Sequence, residues 1–209
     1  MKYIDLISEL KKNKLIVFSL RDIENLFPEE NLKTLKNNLS RWVKMDYLQR
    51  LRKNLYEFIE PGSESSISDL YVGNKLYIPS YISLETALSI YSLIPDIAAQ
   101  VTSLTTLPTR EFKNRHGLFF YRSCQKKAFT GYKLMQFEGV KILIADKEKA
   151  LVDFIYFSLR QKEPLNFDEE RVERGFIKKL NWSKALRYAR LFNNRTVSAV
   201  LKLKEWTRC

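Results

Sequence analysis

The tract Pro61-Gly62-Ser63-Glu64-Ser65-Ser66 constrains the fold of this chain more than any other stretch. Its residues are small, polar and turn-forming, and it offers no large side chain to a core. The hydrophobic period also differs on its two sides. A boundary there divides 209 residues into an expected N-terminal domain, 1–60, a linker, 61–66, and a second domain, 67–209. Apolar residues make up 45% of the chain, enough for a sizeable core without disulfides or metal. Cys124 and Cys209 lie far apart, with no C-x-x-C, and His116 is the single histidine, in a polar turn. The composition therefore gives a zinc site or a Cys-His nucleophile little to build on, and no metal or cofactor is expected. No apolar run approaches the roughly 18–20 residues that span a bilayer. The N-terminus lacks the continuous apolar centre of a signal peptide. A cytoplasmic protein with no membrane partner is expected.

The N-terminal domain reads as an ordered set of short elements. Tyr3, Ile4, Leu6, Ile7 and Leu10 recur at helical spacing over 2–12. Leu15-Ile16-Val17-Phe18 suits a short strand. Ser19 can cap a helix reaching Phe27, with Asp22 at its third position, and Pro28 ends it. A third helix, Leu32 to Met45, places Leu32, Leu35, Leu39, Trp42 and Val43 in one sector of roughly 100°. Lys33, Thr34, Asn37, Arg41 and Lys44 fall opposite. That opposite face has no carboxylate, although helix surfaces usually mix signs. Beyond Asp46 the period shortens: Tyr47–Leu51 and Leu55–Ile59 read as strands joined at Arg52-Lys53-Asn54. Seven Lys/Arg and one acid, Asp46, occupy 32–53.

Helix, strand, helix, helix, basic hairpin is the order of a winged helix-turn-helix. In that reading the third helix enters a major groove. Asn37 and Arg41 meet base edges, Lys33, Lys44 and the hairpin cations Arg50, Arg52 and Lys53 neutralise phosphate, and Thr34 and Lys36 complete the DNA-facing set. The alternative is a three-helix module that uses the same face as a protein-interaction adaptor.

The second domain reads as mixed α and β. Ser68 and Ser83 are candidate caps for helices reaching Lys75 and Tyr91. Ile97–Leu104, Thr109–Lys113, Leu118–Arg122, Gly131–Phe137 and Val140–Ala145 suit strands, the last two joined at Glu138-Gly139. Asp146 is a candidate cap for a helix with Ala150, Leu151, Phe154 and Ile155 inside and Glu148, Lys149 and Asp153 at exposed spacing. The tail, 164–209, is expected to be helical, with Ala185, Leu186, Ala189 and Phe192, then Val197, Val200, Leu201 and Leu203, as apolar repeats. The fold class is therefore α+β.

Charge points to the partner. Thirty-six Lys and Arg against 24 Asp and Glu give +12, an excess that suits a polyanion such as DNA. Two further basic clusters, 110–133 and 171–204, suit DNA, RNA or a protein partner without choosing among them.

Three stretches of the second domain are similar to one family. Tyr77-Ile78-Pro79-Ser80-Tyr81-Ile82-Ser83-Leu84-Glu85-Thr86-Ala87-Leu88 resembles the Y-I-S-x-x-x-A-L stretch of AbiEi-type antitoxins. These are the regulator half of bacterial type IV toxin–antitoxin (abortive infection) systems. The segment from Val101-Thr102 to Arg110-Glu111-Phe112 resembles their next segment. Glu138-Gly139-Val140-Lys141-Ile142-Leu143-Ile144-Ala145-Asp146-Lys147-Glu148-Lys149-Ala150-Leu151-Val152-Asp153 resembles the strand and helix that close their central domain. The resemblance implies an autorepressor whose winged helix binds inverted repeats in its own promoter. It also implies an antitoxin domain countering a nucleotidyltransferase toxin without a stable complex.

An enzyme is the remaining class. A metal-dependent nuclease needs carboxylates gathered around an ion. Glu138, Asp146, Glu148 and Asp153, with Lys149, lie near one strand, but their spacing suits a cap and a solvated helix face. A nucleotidyltransferase needs a Gly-Ser followed by paired acids, and Gly62-Ser63 is followed by Asp69-Leu70-Tyr71, with one acid. The chain has no G-x-x-x-x-G-K-[ST], G-x-G-x-x-G or H-E-x-x-H. No catalytic residue is expected.

Overall fold

The computed structural model describes residues 1–59, 67–95, 99–161 and 174–207. The expected linker, 61–66, the first part of the expected strand at 97–104 and the start of the expected tail lie outside the described residues. Helix and strand are mixed in an α+β chain that divides into two compact units, Met1–Ile67 and Ser68–Cys209.

Unit 1 runs α1 (Tyr3–Lys12), β1 (Val17–Ser19), α2 (Leu20–Leu26), α3 (Leu32–Lys44), β2 (Leu48–Arg52) and β3 (Leu55–Phe58). Its three strands form an antiparallel sheet in the order β1-β3-β2. Local chemistry sets the helix starts. The Asp22 amide donates to Ser19 Oγ at 3.2 Å, and the Ser19 amide donates to Asp22 Oδ2 at 2.6 Å, a reciprocal cap that satisfies two otherwise orphaned donors. The Lys33 amide donates to Asn31 Oδ1 at 2.8 Å and starts α3. Leu35, Leu39 and Trp42 on α3 pack with Leu6, Leu10, Phe18, Ile23 and Leu48 into one core, each such burial contributing about 1.5–3 kcal/mol. Leu32, expected in that core, is 41% exposed. A helical side chain leans back over the preceding turn, and at the first position of α3 it projects past the helix rather than onto the core.

Unit 2 contains α4 (Asp69–Leu76), β4 (Ser80–Ile82), α5 (Leu84–Ile90), β5 (Val101–Thr105), β6 (Arg110–Asn114), β7 (Gly117–Ser123), β8 (Tyr132–Phe137), β9 (Val140–Ala145) and α6 (Lys147–Ser158). The helical tail is α7 (Arg174–Ile177), α8 (Trp182–Arg190) and α9 (Asn194–Trp206). The sheet order is β6-β7-β5-β4-β9-β8, with β5/β7 and β4/β9 parallel and the other neighbours antiparallel. Strand alternation sends Val101, Phe119 and Ile82 toward α4, where Gly73 permits close approach: a Cβ there would meet Val101 at 3.0 Å. Tyr81, Ser83 and Thr102 face the other way, toward α5 and α6.

The hairpin between β8 and β9 turns at Glu138 and Gly139, both at positive φ (46° and 80°), which is the conformation a two-residue turn needs. The Lys149 amide donates to Asp146 Oδ1 at 2.9 Å, so Asp146 caps α6. Ala150, Leu151, Phe154 and Ile155 are buried on that helix. In the tail, Ala185, Ala189, Val200 and Leu203 are buried, whereas Leu201 is 42% exposed. Leu201 follows Val200 by one helical step, about 100° around the helix from the packed stripe. Among the described residues, no helix is long and apolar enough to cross a membrane.

Candidate nucleic-acid interface

Lys33, Thr34, Lys36, Asn37, Arg41 and Lys44 are all exposed, with Lys33, Asn37, Arg41 and Lys44 on the side of α3 away from Leu35, Leu39 and Trp42 and with Thr34 and Lys36 on its flanks. Ser40, exposed between them, continues the same stripe. None of the lysines on α3 makes an ion pair among the described residues. The face therefore carries positive charge that no acid of the described residues compensates. Arg41 is positioned rather than loose. Its Nη2 donates to Asn38 Oδ1 at 3.2 Å, and its guanidinium lies 5.9 Å from the Trp42 ring. Asn38 Nδ2 in turn donates to the Met1 carbonyl at 3.4 Å. Sequence reasoning missed Asn38. The available signal was its place three residues before Arg41, where an amide and a guanidinium meet on one helical face. Glu30, in the turn before α3, is ion-paired with the amino terminus.

The hairpin adds three cations. Arg50 is exposed on β2 opposite Tyr56 of β3. Burial raises the Tyr56 hydroxyl above its ordinary pKa, while the Arg50 charge draws it down. The register shifts between Arg50 and Arg52, a bulge that re-aims the strand. Arg52 is half-buried and its Nη1 donates to the Lys53 carbonyl at 2.9 Å. Lys53 is exposed, and Asn54 takes positive φ, 61°, to close the turn. The Leu20 amide donates to the Asn54 carbonyl at 3.0 Å, which ties the turn to the start of α2. The structure thus brings every expected site residue to the surface of unit 1, with Arg52 the least accessible. Such a surface can place a helix in a groove about 12 Å wide while a hairpin meets the flanking phosphates.

Unit 2 uses its charges differently. Lys149 and Asp153, expected at exposed positions, are both fully buried and ion-paired with each other. Ser83 Oγ donates to Asp153 Oδ2 at 2.7 Å and Tyr81 OH donates to the same oxygen at 3.3 Å. Lys149 Nζ also lies 4.9 Å from the Phe192 ring and 5.7 Å from the Tyr81 ring. An i, i+4 Lys–Asp pair resembles a solvated surface pair until the tail is seen covering it. Burial raises the Asp153 carboxyl, and Lys149, Ser83 and Tyr81 pull it back. Burial and the Asp153 charge push the Cys124 thiol up to about 11.

Asp146 and Glu148 are occupied as well. Asp146 accepts from Tyr188 OH at 2.7 Å and faces Lys184 at 3.0 Å. Glu148 accepts from the Asn181 amide at 3.1 Å and faces Lys184 at 3.3 Å. Burial, then these two acids, push the Tyr91 hydroxyl up to about 12. Glu138 is exposed at its hairpin tip. Among the described residues, no three acidic, histidine or cysteine side chains gather in a metal-holding group. In the other basic clusters, Arg110 lies over Phe112 at 5.2 Å. Arg174 donates to the Trp206 carbonyl at 2.7 Å and stacks on that ring at 4.2 Å. Lys126, Lys127, Lys178, Arg187, Arg190 and Lys202 are exposed.

No protein-family model matches the chain, and no curated protein matches its sequence.

Proposed function

We propose that the chain is a DNA-binding transcriptional autorepressor and the antitoxin of a type IV toxin–antitoxin system. Unit 1 acts as a winged helix-turn-helix, with α3 as the recognition helix and the β2–β3 hairpin as the wing. The observation that carries this reading is the exposed, acid-free face of α3 beside a cationic hairpin. The helix–strand–helix–helix–hairpin order and the antiparallel β1-β3-β2 sheet support it. Asn37 and Arg41 read base edges, and the lysines with Arg50, Arg52 and Lys53 neutralise phosphate.

The antitoxin role rests on the ordered family-like stretches at Tyr77–Leu88, 101–112 and 138–153. Unit 2 opposes a nucleotidyltransferase toxin in the cytoplasm, without a stable complex. The test is binding of the full chain to duplex DNA from immediately upstream of its own reading frame, against an unrelated duplex, over a salt series. The reading expects preference for the upstream duplex and an affinity that falls steeply with salt. Equal, salt-insensitive or absent binding to both would overturn it.

A further inference from the structure

The two edges of the unit 2 sheet are built differently. β6 is guarded by Arg110, Glu111 and Lys113, all exposed, with Arg115 just beyond. Charged side chains on an edge strand discourage pairing with another strand. β8 has Tyr132, Lys133, Leu134, Met135, Gln136 and Phe137, with a single charge. Leu134 is 65% exposed and Tyr132 39%. They share a groove of ≈ 260 Å³ with Ile78, itself 65% exposed, and Leu143.

The register shows which backbone groups of β8 are open. A two-residue turn at Glu138-Gly139 makes Phe137 and Val140 the first hydrogen-bonded pair of the hairpin. Alternation then makes Met135–Ile142 and Lys133–Ile144 hydrogen-bonded pairs, and turns the N–H and C=O of Tyr132, Leu134 and Gln136 outward. Leu143, the partner of Leu134, follows the same parity on the far side. Its backbone turns away from β8 and is met by the Asn74 amide, at 2.6 Å to Oδ1 and 3.1 Å from Nδ2. Asn74 thus closes one flank of the hairpin where β4 does not reach. Among the described residues, nothing meets the outward groups of Tyr132, Leu134 and Gln136 on the other.

We propose that β8 pairs antiparallel with β8 of a second copy of this chain, with Leu134 on the two-fold axis. That register satisfies the open groups reciprocally: Leu134 faces Leu134 of the second copy, and Tyr132 faces its Gln136. It lines up Leu143, Leu134 and the same two leucines of the second copy as one apolar row across the join. Lys133 falls opposite Met135, so no like charges stand directly opposed, an arrangement that would destabilise the pairing. The nearest like charges are the two Lys133, diagonal neighbours about 7–8 Å apart, each with its Nζ drawn to the Tyr91 ring of its own copy at 5.9 Å, while the backbones at the two Lys141 lie about 20 Å apart by strand spacing and rise. A strand that opposes itself in this register with no like charges face to face fits an isologous partner.

The inference rests on unit 2 alone. A monomer that binds duplex DNA would overturn it and leave the DNA reading standing; a dimer indifferent to DNA would do the reverse. The test is sedimentation of the full chain from about 1 to about 100 μM, because dimer formation depends on concentration. The mass should rise to that of two chains. Leu134→Lys should weaken the association at least tenfold with unchanged circular dichroism. A second measurement does not perturb folding. Leu134→Cys should form a covalent dimer on mild oxidation, since facing Cα atoms in such a pair lie about 5.5 Å apart. Gln136→Cys, displaced from its own copy in this register, should not. A single-chain mass throughout, a dimer insensitive to Leu134→Lys, or equal cross-linking at both positions would overturn the proposal.

Discussion

Helices α3 and α8 are capped and charged alike, but their lysines meet different surroundings. Each starts with an asparagine whose side chain accepts a backbone amide, Lys33 for Asn31 and Lys184 for Asn181, and each carries basic residues in its last turn. On α8, Lys184 is met by Asp146 and Glu148 from the N-terminal turn of α6. The tail is docked through that contact, and part of its charge serves the fold. On α3 no acid from any described residue reaches the lysines. Two helices of similar composition thus hold cations for different reasons. A count of Lys and Arg does not separate them; the location of the counter-charge does. Where it lies inside the protein, the cation is structural. Where it is missing, the face repels itself, and the proposed function supplies the counter-charge from a polyanion outside the chain.

The largest expected effect tests the structural half of this contrast. Lys149→Met leaves the Asp153 carboxylate buried without its ammonium and should cost about 3–5 kcal/mol in urea unfolding. Lys149→Met with Asp153→Leu should recover most of that loss. A loss in the single variant no larger than a surface pair gives would mean the pair is not enclosed as described. The next effect tests the wing. Arg52→Ala with Lys53→Ala should weaken all duplexes about equally and reduce the slope of log K against log salt by about 1.8. A change in sequence preference instead would move base contacts from α3 to the hairpin. The smallest effect is at α8. Lys184→Ala removes a partly exposed contact and should cost about 0.3–1 kcal/mol, with DNA affinity unaltered. Loss of DNA binding in that variant would erase the distinction between the two helices.

The elements set by near neighbours were legible in the sequence. Ser19 with Asp22, Asn54 in its tight turn, Glu138-Gly139 and the Asp146 cap all act within a few residues, so spacing and side-chain chemistry suffice. The stripe of α3 was legible because Leu35, Leu39 and Trp42 face one core. What depends on distant chain was not. Lys149 and Asp153 read as a solvated pair because their burial comes from β4 and the tail. Ser83 does stand at the start of α5 as expected, yet its hydroxyl is spent on Asp153, 70 residues away, rather than on a cap. The parallel pairings of β5 with β7 and β4 with β9 leave no local trace. For the candidate interface, exposure of the named residues followed from helix period, while the support of Arg41 by Asn38 and Trp42 needed side-chain geometry.

The central claim is that the exposed face of α3 reads duplex DNA. Its most direct test is the dissociation constant of the full chain and of the Asn37→Ala, Arg41→Ala variant for the upstream duplex, measured at one salt concentration. With each base contact contributing about 1–3 kcal/mol, the variant should bind at least about thirtyfold more weakly, with an unchanged melting temperature and with residual binding that no longer prefers the upstream sequence. Equal affinity and equal preference in the two proteins would contradict the account.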